Sequence, residues 1–128
     1  MPETTRPING GDDSTTGRSP RHVALRDEHR EGGDHRYLTA YLDDNGNLHI
    51  DGQDLGPGTA SVSSDGEYEW FSTIFADDIA RVIRLLDGDP GADVLDLLER
   101  SWSGVRSYQL EHRLRESDIP IRRSVWRG

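Results

Sequence analysis

The sequence predicts an α+β domain, in which about three helices pack on one face of an antiparallel sheet of three to four strands. Segments rich in strand-forming residues come first, helical stripes of apolar residues follow, and a short extended stretch ends the chain. The expected order is β-β-β-α-α-α-β. A single core suits a chain of about 100 to 150 residues, so we expect one domain over residues 35–128.

Residues 1–34 are expected to form a disordered N-terminal tail, because they combine Gly, Ser, Thr and mixed charges with almost no apolar residues. His22-Val23-Ala24-Leu25 is their only apolar spot. His22 and His29 in this tail, and His35 just after it, follow no regular spacing. We therefore expect them to be solvated and predict no metal site.

Residues 36–51 predict a β-hairpin around Asp43-Asp44-Asn45-Gly46. A two-residue Asn45-Gly46 turn would leave Leu38 and Leu42 among polar residues. A type I turn starting at Asp43, with Gly46 as a left-handed bulge, gathers the apolar residues on one face instead. The latter is predicted, because register follows the buried face. The aligned residues are Leu38, Ala40, Leu42, Leu48 and Ile50.

A further strand is predicted from about Glu67 to Thr73, after a loop with a short extended piece near residues 60–62. Tyr68, Trp70 and Ile74 would share one side, with Phe71 and Phe75 on the other. Apolar residues on both sides indicate a central strand, or one whose second face is covered.

The first helix is predicted to open at Ala76-Asp77-Asp78 and to end with Gly88 at the C′ position. Asp89-Pro90 would begin the second helix, which stops at Gly104. Ser107 would cap the third helix, with Leu110 and Leu114 inward. The inward residues of the first two helices are Ile79, Val82, Ile83, Leu86, Val94, Leu97, Leu98 and Trp102.

In the last stretch, Ile121, Arg123 and Val125 alternate with Arg122, Ser124 and Trp126. Pro120 ends the third helix, because the residue before a proline avoids helical angles. The alternation after it predicts an edge strand that returns to the sheet.

Charge is distributed unevenly along the chain. The net charge is −9 and all 15 basic residues are Arg, a usage typical of high-GC coding sequences. Residues 99–127 carry seven Arg and four acids, a net +3, while residues 1–98 carry eight Arg and twenty acids, a net −12. Such asymmetry can mark a partner surface on either part.

Targeting and redox signals are few. There is no Cys, which excludes disulfides and Cys-based metal sites. No apolar stretch approaches the roughly 20 residues of a membrane span, and the N-terminus has no apolar signal core. We therefore expect a cytoplasmic protein without membrane contact.

Three segments carry a resemblance to a known group of proteins. They are residues 37–58, Gly66-Glu67-Tyr68-Glu69-Trp70-Phe71, and Leu114-Arg115-Glu116-Ser117-Asp118-Ile119-Pro120. Together they resemble a family of small, acidic, uncharacterised proteins of high-GC actinobacteria. The resemblance covers about the last three quarters of the chain and implies no activity and no functional residue.

Two candidate chemistries of the strand region fail on spacing or setting. The Asp43 loop has Leu48 where a helix-flanked calcium loop needs its sixth-position Gly. Glu67 and Glu69, about 7 Å apart on one side of a strand, could act as acid and base only within a cleft that the sequence does not indicate.

Ser107, His112 and Asp118 contain the residue types of a nucleophilic triad. Five residues along a helix turn Ser107 and His112 about 140° apart, so these two side chains cannot meet. No glycine-rich loop with a following Lys suggests phosphate binding either. We therefore predict neither a catalytic residue nor a cofactor.

The preferred hypothesis is a non-enzymatic acidic protein-binding module, of the inhibitor, immunity or small regulatory kind. Acidic residues beside aromatic ones on the sheet could attract and hold a basic protein partner. The residues predicted to form this face are Tyr37, Tyr41, Asp43, Asp51, Glu67 and Glu69.

The alternative is a helix-turn-helix-like protein that binds nucleic acid through its basic C-terminal third. Two helices joined by a tight turn at Ser103-Gly104 are typical of such readers. Arginines would contact phosphates, and Gln109 could reach a base edge. The predicted residues are Arg106, Gln109, Arg113, Arg115, Arg122 and Arg123.

Overall fold

The computed structural model describes residues 21–56 and 67–127 as one antiparallel sheet with three helices. The α+β class is confirmed. The elements in chain order are β1 (His22–His29), β2 (His35–Leu42), β3 (Leu48–Leu55), β4 (Glu67–Ile74), α1 (Ile79–Leu85), α2 (Val94–Ser101), α3 (Arg106–Glu116) and β5 (Arg122–Arg127). Within these ranges the sheet has five strands in the spatial order β1-β2-β3-β4-β5, and each strand is antiparallel to its neighbours.

The strand count and element order therefore differ from the prediction of three to four strands. The observed order is β-β-β-β-α-α-α-β, and the additional strand is β1. The predicted disordered tail is therefore wrong for His22–His29. Residues 1–20, and the extended piece predicted near residues 60–62, lie outside the described part. The sequence pattern did not indicate strand β1 because its apolar content is low: of its eight residues, only Val23 and Leu25 belong to the hydrophobic core.

A β-bulge brings a charged residue of β1 to the helical side of the sheet. The register with β2 shifts between Ala24 and Arg26, so that consecutive residues Leu25 and Arg26 both point toward the helices and are both buried. The backbone N–H of Gly104, in the loop before α3, donates to the carbonyl of Leu25 at 2.8 Å. The bulge is therefore fixed by the helical layer.

The β2–β3 hairpin has the predicted register. Gly46 has a φ of 80° and donates its N–H to the carbonyl of Asp43 at 2.9 Å, as in a type I turn followed by a left-handed bulge. Leu42 pairs with Leu48. The predicted apolar face is confirmed, because Leu38, Ala40, Leu48 and Ile50 are buried and Leu42 packs against them.

Glycine at position 52 is required by close packing within the sheet. Gly52 of β3 lies opposite Trp70 of β4, and a Cβ atom at position 52 would come within 2.1 Å of the Trp70 indole. The indole therefore covers the glycine backbone and extends toward α3.

The apolar stripes of the three helices enter the core as predicted, but the helix ends differ. Asp87, rather than Gly88, occupies the left-handed C′ position after α1, and Gly88 is packed against Leu97. Helix α2 begins later than predicted, with Asp93 as its N-cap. Ser107 is buried within α3, where its hydroxyl donates to the Gly104 carbonyl at 2.6 Å.

The core lies between the sheet and the helices. Trp102, at the end of α2, is buried in it and donates its indole N–H to the carbonyl of Leu86 at 3.2 Å. All buried side chains of the strands point to this side. No helix among residues 21–56 and 67–127 has the length and hydropathy of a membrane span.

Candidate functional site

The side of the sheet that faces away from the helices is the candidate site, and we call it the open face. None of its side chains is buried, whereas the alternate residues of the same strands form the core. No described helix or strand packs on it. Its residues are His22, Ala24, Asp27 and His29 of β1; His35, Tyr37, Thr39 and Tyr41 of β2; His49, Asp51, Gln53 and Leu55 of β3; Glu67, Glu69, Phe71 and Thr73 of β4; and Arg122, Ser124 and Trp126 of β5.

Five of the six residues predicted for the acidic and aromatic face lie on the open face: Tyr37, Tyr41, Asp51, Glu67 and Glu69. Two of them share one amide, because Gln53 donates from Nε2 to Glu67 at 3.2 Å and to Glu69 at 2.7 Å. Glu69 also pairs in register with Trp126 of β5. The two glutamates and the indole are therefore neighbours on adjacent strands.

Asp43, the sixth predicted residue, lies in the β2–β3 turn at the margin of the open face. Its Oδ2 lies 2.7 Å from Nε2 of His49, and its Oδ1 accepts the backbone N–H groups of Asn45 and Asn47. These bonds, the one to His49 above all, lower the pKa of Asp43. The carboxylate thus fixes both the turn and the imidazole.

A row of rings crosses three strands next to that turn. The ring centroids of His22 and Tyr41 are 4.5 Å apart, and those of Tyr41 and His49 are 4.6 Å apart and nearly parallel. On the far side, Oγ1 of Thr73 lies 3.3 Å from Nδ1 of His49. The contacts with Asp43 and Thr73 thus hold the imidazole of His49 flat against the ring of Tyr41.

Asp51 lies in the middle of the central strand of the open face, half-buried between its neighbours. Burial raises the pKa of its carboxyl group and Glu69 adds to the effect, while His49 and His22 oppose it. Burial also raises the pKa of Tyr41, and the charges of Asp51 and Asp43 reinforce that rise. The fold therefore holds a partly desolvated negative charge at the centre of the face.

Two large apolar side chains on the open face are exposed to solvent. Phe71 is 38% exposed and Trp126 is 48% exposed. Phe71 lies on the opposite side of β4 from Trp70 and Ile74, as predicted, while Trp126, His22, His49 and Gln53 were not predicted for this face. The sequence places Trp126 on the same side of β5 as Arg122 and Ser124, since the three are two residues apart. It does not tell which face of the sheet that side joins, because the register between β5 and β4 is not visible in the sequence.

The open face is acidic. It carries four acids (Asp27, Asp51, Glu67 and Glu69) and one cation (Arg122), a net −3 when the histidines are neutral. Asp43 at the margin adds a further negative charge.

The six residues predicted for nucleic-acid binding do not form one surface. Arg122 and Arg123 are consecutive in β5 and point to opposite sides of the sheet, the first onto the open face. Arg122 also lies over the ring of Phe75, with 5.4 Å between its Cζ and the ring centroid. Gln109 and Arg115 are exposed on α3.

Arg106 and Arg113 of α3 pack against their own protein. Their Cζ atoms lie 4.0 and 4.9 Å from the ring centroid of Trp102. Arg113 also donates to the carbonyl of Leu85 at 3.1 Å and to the carboxylate of Asp87 at 3.3 Å. Both side chains therefore help to hold the helical layer together.

The residues of the rejected triad remain apart. Ser107 is buried and accepts a hydrogen bond from Nε of Arg26 at 2.9 Å. His112 instead faces Glu116 at 3.6 Å, and Asp118 accepts a hydrogen bond from Arg81 at 2.7 Å.

The expectation that His22, His29 and His35 are solvated agrees with the exposed His22 and His29 but not with His35, whose side chain is only 13% exposed. His29 and His35 are cross-strand partners at the end of the β1–β2 hairpin, and their ring centroids are 3.7 Å apart. His22 lies at the opposite end of β1. The unpredicted strand β1 brings the rings of His29 and His35 together.

Comparison with protein-family models, with curated protein sequences and with solved structures found no match for this chain.

Proposed function

We propose that the protein is a non-enzymatic binding module that holds a basic protein partner on the open face. The single observation that carries this proposal is a sheet face on which no described helix or strand packs, with exposed Phe71 and Trp126 and a net negative charge around them. Exposed aromatic side chains supply large apolar contact area, and complementary charge guides the encounter and fixes orientation.

The size of the open face suits a protein partner. Five strands at a spacing of about 4.8 Å span roughly 19 Å, and eight residues extend about 27 Å along each strand. The projected area is about 500 Å², and the rough surface of the side chains exceeds it. A standard interface buries about 800 Å² on each partner, so the face and its margin provide most of one side.

Nucleic acid is the weaker candidate for the same face. Exposed aromatic rings can stack on unpaired bases, but such sites combine the rings with basic residues that follow the phosphates. Here Asp51, Glu67 and Glu69 lie among the rings, and their charge would repel a phosphate backbone. The charge therefore favours a basic protein surface over RNA or DNA.

The test is affinity capture from the source cell lysate, with and without nuclease, using the native chain and two charge-reversal variants. Glu67→Arg with Glu69→Arg changes the open face. Glu99→Arg with Glu116→Arg changes two exposed helical positions by the same net charge. We expect the first variant to lose a stoichiometric, nuclease-resistant protein that the native chain and the second variant both retain.

Equal retention by both variants would refute the acidic-face proposal. Capture that vanishes with nuclease, and that falls steeply with salt, would instead favour nucleic-acid binding through the basic C-terminal third. Circular dichroism of each variant checks that the fold is intact.

A further inference from the structure

We infer that Asp27, His29 and His35 form a binding site for a divalent first-row transition metal ion, with Zn²⁺ as the representative ion. The three residues lie at the end of the β1–β2 hairpin, at one corner of the open face. Their potential ligand atoms all lie within 4.8 Å of one another. The inference does not depend on the protein-binding proposal.

The sheet register produces this cluster. His29 and His35 are directly opposite each other, and Asp27 precedes His29 by two residues and therefore points to the same face. A tight loop joins the strands, with the Arg30 N–H donating to the Asp34 carbonyl at 2.8 Å. Backbone pairing thus holds three ligand-bearing residues in place before any ion binds.

The distances suit a small ion. His35 Nε2 and His29 Nε2 lie 2.8 and 3.5 Å from the same oxygen, Oδ1 of Asp27. Two ligands that each lie about 2.1 Å from a tetrahedral ion are about 3.4 Å apart. The shorter contact is a hydrogen bond, so the ion would replace its proton and widen it by about half an ångström.

The three side chains differ in freedom, which allows that adjustment. His35 is only 13% exposed and its ring lies against Tyr37, with 3.5 Å between the centroids. Asp27 and His29 are 56% and 74% exposed, respectively. One imidazole is therefore held, while the stacked His29 ring can rotate to direct its lone pair at the ion.

The donor set selects the kind of ion. Two imidazoles and one carboxylate suit Zn²⁺ and its first-row neighbours, whereas Ca²⁺ and Mg²⁺ prefer oxygen ligands alone. The two arginines at this end of the hairpin, Arg30 and Arg36, do not compete for the carboxylate of Asp27. Arg30 and Arg36 pair with Glu28, Asp34 and Asp54, on contacts away from Asp27. Three protein ligands leave a coordination position for water.

The experiment titrates the full, untagged chain with Zn²⁺ by calorimetry, and with Co²⁺ by visible absorption, at about pH 7. We expect one ion per chain and a cobalt spectrum that reports nitrogen and oxygen ligands. The main variant is His29→Ala, because this side chain is the most exposed of the three, and circular dichroism checks its fold. We expect it to weaken Zn²⁺ binding at least tenfold, and Asp27→Asn to do the same.

The matched controls are His22→Ala, at the other end of β1, and His112→Ala, which removes the His112–Glu116 pair on α3. Both should bind Zn²⁺ as the native chain does. The site is refuted if the native chain binds no Zn²⁺ at millimolar concentration, or if His29→Ala binds as tightly as the controls.

Discussion

Arg26 is the side chain whose replacement tests the packing of α3 most directly. Its side chain is 2% exposed, it donates from Nε to Ser107, and it donates from a terminal nitrogen to Oε1 of Glu111 at 2.8 Å. The other oxygen of Glu111 accepts the indole N–H of Trp70 at 2.9 Å. A single carboxylate therefore joins α3 to strands β1 and β4.

Arg26→Met keeps most of the buried volume but leaves Glu111 without its cation. Removing one partner of a buried ion pair costs about 3 to 5 kcal/mol. Glu111 is 20% exposed, so water relieves part of that cost. We expect a loss near the lower end, about 3 kcal/mol in the free energy of unfolding.

The assay is urea unfolding followed by tryptophan fluorescence and by circular dichroism, on the native chain, Arg26→Met, Glu111→Gln and the double variant. In the Glu111→Gln background the buried charge of Arg26 has already lost its partner, and Arg26→Met removes that charge. Arg26→Met should therefore cost less there than in the native chain, by about 1 kcal/mol or more. If Arg26→Met costs less than about 1 kcal/mol, or costs the same in both backgrounds, the ion pair does not hold α3 as argued.

Three further substitutions test the core, the sheet and the open face. Leu98→Ala should lower the free energy of unfolding by about 2 to 5 kcal/mol in urea unfolding, because it opens a cavity among fully buried side chains. Gly52→Ala should cost about 1 to 3 kcal/mol and change the tryptophan fluorescence, because the new methyl group displaces the Trp70 indole; an unchanged melting temperature would contradict the packing. Burial raises the pKa of Asp51, so the native state binds this proton more readily than the unfolded chain, and the contribution of Asp51 to stability falls as pH rises above about 4. Asp51→Asn should therefore be more stable than the native chain at neutral pH, and urea unfolding at about pH 3 should show that advantage lost; a less stable variant at neutral pH would refute the burial argument.

Short-range signals in the sequence predicted the elements that depend on them. The Asp43–Gly46 turn and the apolar alternation beside it gave the hairpin register, and the 3.6-residue stripes gave the inward faces of the helices. The helix ends were less accurate, because tertiary contacts decide between adjacent residues. Asp87 takes the left-handed position, whereas Gly88 lies where a Cβ atom would come within 2.6 Å of the Leu97 side chain.

Strand β1 could not be recognised from local pattern. Its bulge places Arg26 in the core beside Leu25, which breaks the alternation that identifies a strand. The charge of Arg26 is tolerated there only because Ser107 and Glu111, more than 80 residues away in the chain, supply its partners. Missing β1 also meant missing the pairing of His29 with His35.

By itself, the sequence determined the α+β class, the β2–β3 register and the acidic and aromatic character of residues 37–69, since these follow from turn chemistry and periodicity within short segments. Only the tertiary structure decided that the described residues form a five-stranded sheet, that no described helix or strand packs on one of its faces, and that Trp126 and the His29–His35 pair belong to that face. The reason is that side chains on a sheet become neighbours through pairing between strands, and that pairing joins residues whose separation along the chain carries no local pattern.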